Sequence, residues 1–173
     1  MEALTRCLIV DGYNIINSWP ELINEQKISL EGSRQKLLEF LEDYRAYKGI
    51  KVIVVFDAHM VKGSMEKHEN FGKIEVVYTK ENQTADSYIE KLADQVGSMF
   101  NIQVATSDWL EQQVVLGRGA SRISARELRY EVMHSRKKMT EKYRLKNSDK
   151  KHTLENRLDL DVREKLDKLR RQR

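Results

Sequence analysis

Three apolar runs in this chain each close on an aspartate: CLIVD at Asp11, VIVVFD at Asp57 and IQVATSD at Asp108. Each reads as a strand, and the continuous run KVIVVF, 51–56, as one covered on both faces of its sheet. A fourth aspartate, Asp86, opens the helix-like run TADSYIEKLADQV. In an open parallel sheet the strand carboxyl ends share one edge, where ligands bind. These acids are therefore expected to converge. Carboxylates brought together repel unless a cation joins them, and an all-oxygen donor set favours Mg²⁺ or Mn²⁺. Singly, each residue has a plainer reading. Asp11 and Asn14 suit a turn, Asp86 favours a helix dipole, and Asp108 suits an N-cap. Their succession at sheet ends is what points to a single site.

The chain has 173 residues and a net charge of +4, unevenly spread. From Arg118 to Arg173 there are 19 Lys+Arg against 9 Asp+Glu, a balance of +10, whereas the residues before it carry −6. An acidic site followed by a basic tail suggests a polyanionic partner, nucleic acid above all. The plainer reading of the tail is a solvated helical face. The single cysteine, Cys7, excludes an internal disulfide framework and a cysteine-rich zinc site, and reads as buried packing. No signal-peptide pattern or membrane-length apolar run is present, so a cytosolic protein with no membrane partner is expected. There is no phosphate-binding loop of the nucleoside-triphosphatase type, and the four histidines lack metal-ligand spacing and read as surface residues.

Along the chain, residues 6–10 form the first strand, and Gly12 after Asp11 lets a ligand approach closely. Pro20 marks an irregular loop. Ser33 to Lys48 is helical, with Leu37, Leu38, Leu41 and Tyr44 on one face and Gly49 as its stop. KVIVVF, 51–56, is a strand, 58–73 a long mobile loop, and IEVVYT, 74–79, the next strand. Thr84 caps a helix ending near Gly97, with Glu90 one turn beyond Asp86. IQVAT, 102–106, is a strand, and a short helix is expected over 109–116. Ser124 and Glu127 form a capping box that starts a basic helix running to about Leu145. Asn147-Ser148-Asp149 is expected to break it before a last charged helix over 153–171. Strands alternating with helices give an α/β fold with a mainly parallel sheet.

Leu8-Ile9-Val10-Asp11-Gly12-Tyr13-Asn14, Val55-Phe56-Asp57, Thr84-Ala85-Asp86-Ser87-Tyr88-Ile89 and Ala105-Thr106-Ser107-Asp108 resemble, in order, the motifs of the NYN ribonuclease family of the PIN-like superfamily. With Gly117-Arg118-Gly119-Ala120-Ser121-Arg122-Ile123-Ser124, the chain is similar to the bacterial YacP-type branch. The resemblance covers about 1–145. It implies a three-layer sandwich over 1–145, a nuclease domain, with 146–173 as a basic helical extension. It also implies that Asp11, Asp86 and Asp108 are the metal-binding acids. Asp57 would be an accessory acid and Asn14 the asparagine of the first motif. Glu90 has no firm counterpart.

The expected activity is hydrolysis of messenger RNA by Mg²⁺ or Mn²⁺, tied to the ribosome, leaving by resemblance a 5′-phosphate and a 3′-hydroxyl. A monomer is expected. A competing expectation is a ribosome- or RNA-binding module with little catalysis, in which Arg118, Arg122, Arg126, Arg129, Arg136, Lys137 and Lys138 contact phosphates. Tyr13 and Trp109 flank the site and suit base stacking or rim packing. A phosphatase with Asp11 as nucleophile would want an acid two residues later, where Tyr13 stands.

Overall fold

The computed structural model describes residues 5–59, 61–108, 113 and 119–170, with side chains described through Ser148 and at Val162 and Lys165. In chain order the elements are β1 (Thr5–Asp11), α1 (Gly12–Ile16), α2 (Pro20–Gln26), α3 (Leu30–Lys48), β2 (Lys51–Phe56), β3 (Lys67–Phe71), β4 (Ile74–Tyr78), α4 (Ala85–Val96), β5 (Phe100–Ala105), β6 (Ser121–Ile123) and α5 (Ala125–Arg170). The chain forms two compact units, 1–135 and 136–173.

The first unit is an α/β sandwich around one six-stranded sheet, ordered β3-β4-β2-β1-β5-β6. All neighbours run parallel except β3 against β4. Strand alternation divides the core in two. Leu8, Val10, Val52, Val54 and Phe56 pack with Leu37, Leu41, Tyr44, Leu128 and Val132. Cys7, Ile9, Ile53, Val55 and Val104 pack with Ala85, Ile89 and Ala93 of α4 on the other face. Both faces of β1 and β2 are thus covered, which is why these strands are apolar without a break. The chain leaves β1 for β2 on one side and returns to β5 on the other. The strand order therefore reverses between β1 and β5, the crevice where open α/β sheets bind ligands.

Four local expectations are corrected. Pro20 is the first residue of α2 rather than part of a loop, because its fixed φ and missing N–H suit a first helical position. The stretch 58–73 contains β3, an edge strand paired through Glu69↔Val76 and its neighbours. Its sequence KHENF is exposed and charged, as suits an edge that must resist further pairing. Gly12 is needed for packing. A Cβ there would lie 2.3 Å from Phe56 Cε1, so it is the phenyl ring, not a ligand, that occupies the space. Asn147-Ser148-Asp149 does not interrupt α5, and Ser148 Oγ donates to Leu145 O within it. These residues are weak helix formers rather than breakers, and no Gly or Pro follows Gly119. The expected helix at 109–116 lies outside the described residues except for Gln113. Among the described residues no helix is long and apolar enough to cross a membrane.

Candidate active site

β1 ends at the crevice with Asp11, which alternation places on the α4 side and which is only 8% exposed. Its carboxylate caps α1 by accepting the Asn14 N–H at 3.4 Å. Burial pushes its pKa up to about 6, against the relief given by Asn14. Asp86, Asp57 and Asp108 add their charges in the same direction. The four aspartates therefore share one electrostatic neighbourhood. Asp86 and Asp108 are exposed, while Asp11 sits at the floor.

Asp86 stands in the first turn of α4, whose N-cap Thr84 accepts the Ser87 N–H. The position of that turn is fixed by Asp57. One Asp57 oxygen accepts the Ala85 N–H at 3.1 Å and the other accepts the His59 N–H at 2.9 Å and contacts His59 Nδ1. Burial pushes the Asp57 carboxyl up, but the bonds from His59 and Ala85 outweigh it and hold it below the usual range. Asp57 thus braces the helix that carries Asp86.

Asn14 Oδ1 accepts the Ser107 N–H at 2.8 Å, which ties the ends of β1 and β5 together across the crevice. Thr106, fully buried, accepts the Asp108 N–H at 3.1 Å, and Ser107 Oγ accepts the Ala125 N–H. These hydroxyls shape the turn that presents Asp108. Tyr13 packs against Phe56 with ring centroids 5.2 Å apart, and its hydroxyl accepts from Arg34. It is rim packing. Glu90 is half-buried one turn beyond Asp86. Trp109 lies outside the described residues.

Two participants escaped the sequence reading. His59 is bound to Asp57 rather than free on the surface, and its spacing two residues after a strand-end aspartate is the signature of a local Asx turn. Asn82, with φ of 63°, donates its N–H to His59 O and turns the chain into α4. Next to it, Gln83 is buried and its Oε1 lacks a hydrogen-bond partner among the described residues.

Of the basic residues, Arg122 and Arg126 are exposed beside β6 and the start of α5. Arg129 is engaged by both Glu21 oxygens, a pairing that joins α5 to α2. Lys137 and Lys138 are exposed and Arg136 half-buried in the second unit. Arg118 lies outside the described residues. Among the described residues no group of three His, Cys, Asp or Glu side chains is arranged to hold a metal ion.

A family profile described as the YacP-like NYN domain matches residues 8–171. YacP of Bacillus subtilis (strain 168) is 46% identical over 144 residues, 83% of this chain and 84% of that one. The crystal structure of Rae1 (YacP) from Bacillus subtilis is similar at a TM-score of 0.71 and 40% identity, covering 96% of this chain and 95% of that one. A mutant of the same protein gives 0.74 and 41%, covering 83% and 85%.

Proposed function

The chain belongs to the YacP-like NYN domain family, and we propose that it is a metal-dependent endoribonuclease that hydrolyses messenger RNA in the cytosol, in association with the translating ribosome. The observation that carries this reading is Asp11. A carboxylate buried at a sheet switch point, with three more acids acting on it, is costly to the fold unless a cation offsets its charge.

The donor set fits a hard cation. Mg²⁺ is commonly held by one or two carboxylates, with water and substrate phosphate completing its shell, so a closed protein cage is not required. Asp11, Asp86 and Asp108 would hold it. When bound, the ion supplies a nucleophilic water at neutral pH and offsets charge on the phosphate. The chain's own residues set the geometry. Asn14 and Ser107 keep the two strand ends in register, Asp57 holds the N-terminus of α4, the turn that carries Asp86, and Thr106 shapes the turn bearing Asp108. Arg122, Arg126, Lys137 and Lys138 are free of the bidentate pairing that occupies Arg129, and suit contact with RNA phosphates.

The arrangement of the acids favours one other reading, a ribosome- or RNA-binding module with little catalysis, because no three of the described side chains form a ready metal cage. One experiment separates the two. A messenger is incubated with Mg²⁺ or Mn²⁺, translated or free of ribosomes, with wild type and with Asp11→Asn/Asp86→Asn. Cuts confined to translated RNA and absent from the variant support the proposal, and cuts on both RNAs remove the ribosome requirement. No cuts on either, with equal ribosome binding by both proteins, favour the binding module.

A further inference from the structure

A cavity of about 490 Å³ opens between the edge strand β6 and the first turns of α5, lined by Gln103, Arg122, Ile123, Arg126, Glu127, Tyr130 and Glu131. It is not part of the aspartate site. Gln103 alternates with Ile102 and Val104, which face α4, so it lies on the opposite face of the sheet. It is also three residues, about 10 Å, back from Thr106 along the strand.

The charges lining the cavity are unequal in what they are free to do. Glu131 is taken by the Tyr44 hydroxyl and by Lys48 at 3.6 Å. Glu127 closes the capping box, accepting the Ser124 N–H at 2.8 Å, while lying within electrostatic range of Arg122. Arg126 takes part in no hydrogen bond or ion pair among the described residues and is exposed. The cavity therefore offers cationic donors whose neighbouring acids are already committed. Its outer wall is Tyr130, 71% exposed, with one side lying nearly parallel to His134 at 6.0 Å. An open aromatic ring, a guanidinium pair and a side-chain amide are the groups that receive a base, a phosphate and a base edge.

We propose that this cavity is a nucleotide-binding subsite, separate from the aspartate cluster, in which a base stacks on Tyr130 and its phosphate is held by Arg122 and Arg126. The volume suits one nucleotide. That nucleotide is either free or one unit of an RNA strand, and the chemistry of recognition is the same for both.

The full chain is titrated calorimetrically with AMP, ribose 5-phosphate and a short oligoadenylate. Wild type is compared with Tyr130→Ala, Tyr130→Phe, Arg126→Ala and Asp11→Asn. Tyr130 and Arg126 are exposed, so their replacement leaves the core untouched, and circular dichroism verifies the helices. AMP is expected to bind about five- to 150-fold more weakly to Tyr130→Ala, the span for loss of one base stack, with the Phe variant restoring it. Ribose 5-phosphate should bind more weakly than AMP, Arg126→Ala should weaken both, and Asp11→Asn should bind AMP like wild type. Oligoadenylate binding well above that of AMP, and dependent on Tyr130, assigns the subsite to a strand. Equal binding assigns it to the free nucleotide. Three results overturn the proposal: AMP binding no better than ribose 5-phosphate, AMP binding indifferent to Tyr130, or AMP binding lost with Asp11. An acidic peptide displacing AMP from both wild type and Tyr130→Ala would likewise reduce the cavity to a charge-only protein contact. None of these results depends on RNA cleavage, so the nuclease reading stands or falls separately.

Discussion

The crevice at the end of β1 and the cavity beside β6 both gather like charges, but on different terms. At the crevice Asp11 is buried and feels three other aspartates, and its carboxyl responds with a pKa near 6. At the cavity two arginines stand in the open, where water and salt screen their repulsion. Buried like charge opposes folding, so its presence argues for use. Exposed like charge costs little, so it argues for nothing by itself. At β6 the committed glutamates and the open Tyr130 ring, rather than the arginines alone, distinguish the cavity from an ordinary basic surface.

The sharpest way to break this contrast is to remove charge at the crevice. Asp11→Asn and Asp86→Asn should each lower RNA cleavage by more than ~100-fold, beyond the usual ceiling for outer-shell partners. Asp57→Asn should cost about 10–100-fold, because Asp57 acts through Ala85 and His59. Single-turnover cleavage rates rank the three. Equal losses at Asp57 and Asp11 would mean that Asp57 itself reaches the ion or the phosphate.

The same substitution has an opposite effect on stability. The folded Asp11 carboxyl has a pKa near 6 against an ordinary 3.8, so between those values the folded chain holds more protons than the unfolded one. Stability contributed at Asp11 therefore falls as pH rises through that window and is level above it. Without divalent cations, Asp11→Asn should be more stable than wild type at pH 7 by an amount on the order of 3 kcal/mol. It should show no such advantage below about pH 4. The Asn keeps the N-cap. Denaturant melts in chelator across pH measure this, and Mg²⁺ should narrow the gap by raising wild type alone. A gap that is constant with pH would remove burial of charge as its cause.

Gly12 tests how tightly the crevice floor is packed. Gly12→Ala forces its methyl onto the Phe56 ring, and overpacking of this kind costs about 1–3 kcal/mol. The midpoint of urea unfolding reads it directly. A neutral result would mean that Phe56 and its partner Tyr78 shift together.

The two regions also differed in how much of them the sequence disclosed. β1 and β2 were legible because burial on both faces leaves an unbroken apolar run closing on an acid, and β5 because Ile102, Val104 and Ala105 stand just before Asp108. α4 was legible because Thr84 and Gly97 bracket an apolar stripe. The place of each aspartate could be read, since strand ends of a parallel sheet share an edge. What each aspartate does could not. Asp57 turns inward to cap α4 only because β4 and the Asn82 turn bring Ala85 to it, and that is a tertiary contact with no local pattern. β3 was hidden for a related reason, its charged sequence having no alternation and its pairing being supplied by β4. β6 is three residues long, too short for any period to register. Without β6 the cavity on its flank could not be foreseen, and Arg122 and Arg126 were simply members of a basic run.

The smallest effect distinguishes among the arginines themselves. Each phosphate contact on a single strand contributes ~0.7 to the slope of log affinity against log salt. Arg122→Ala/Arg126→Ala should therefore flatten the slope for RNA binding by roughly 1.4. Arg129→Ala should leave the slope nearly unchanged, although it lies one turn from Arg126 in α5 and seven residues from Arg122 in β6. Its guanidinium is already bound to both oxygens of Glu21, and a phosphate would have to displace a carboxylate in bidentate geometry. What Arg129→Ala removes instead is a partly exposed clamp between α5 and α2, worth up to about 1 kcal/mol of stability. Salt titrations of RNA binding, paired with urea midpoints, give each variant two coordinates: the open arginines should move the slope alone and Arg129 the midpoint alone. An Arg129 variant that flattens the slope as much as one of the open arginines would mean that the Glu21 pair opens when RNA binds, which would turn a brace of the fold into part of the interface.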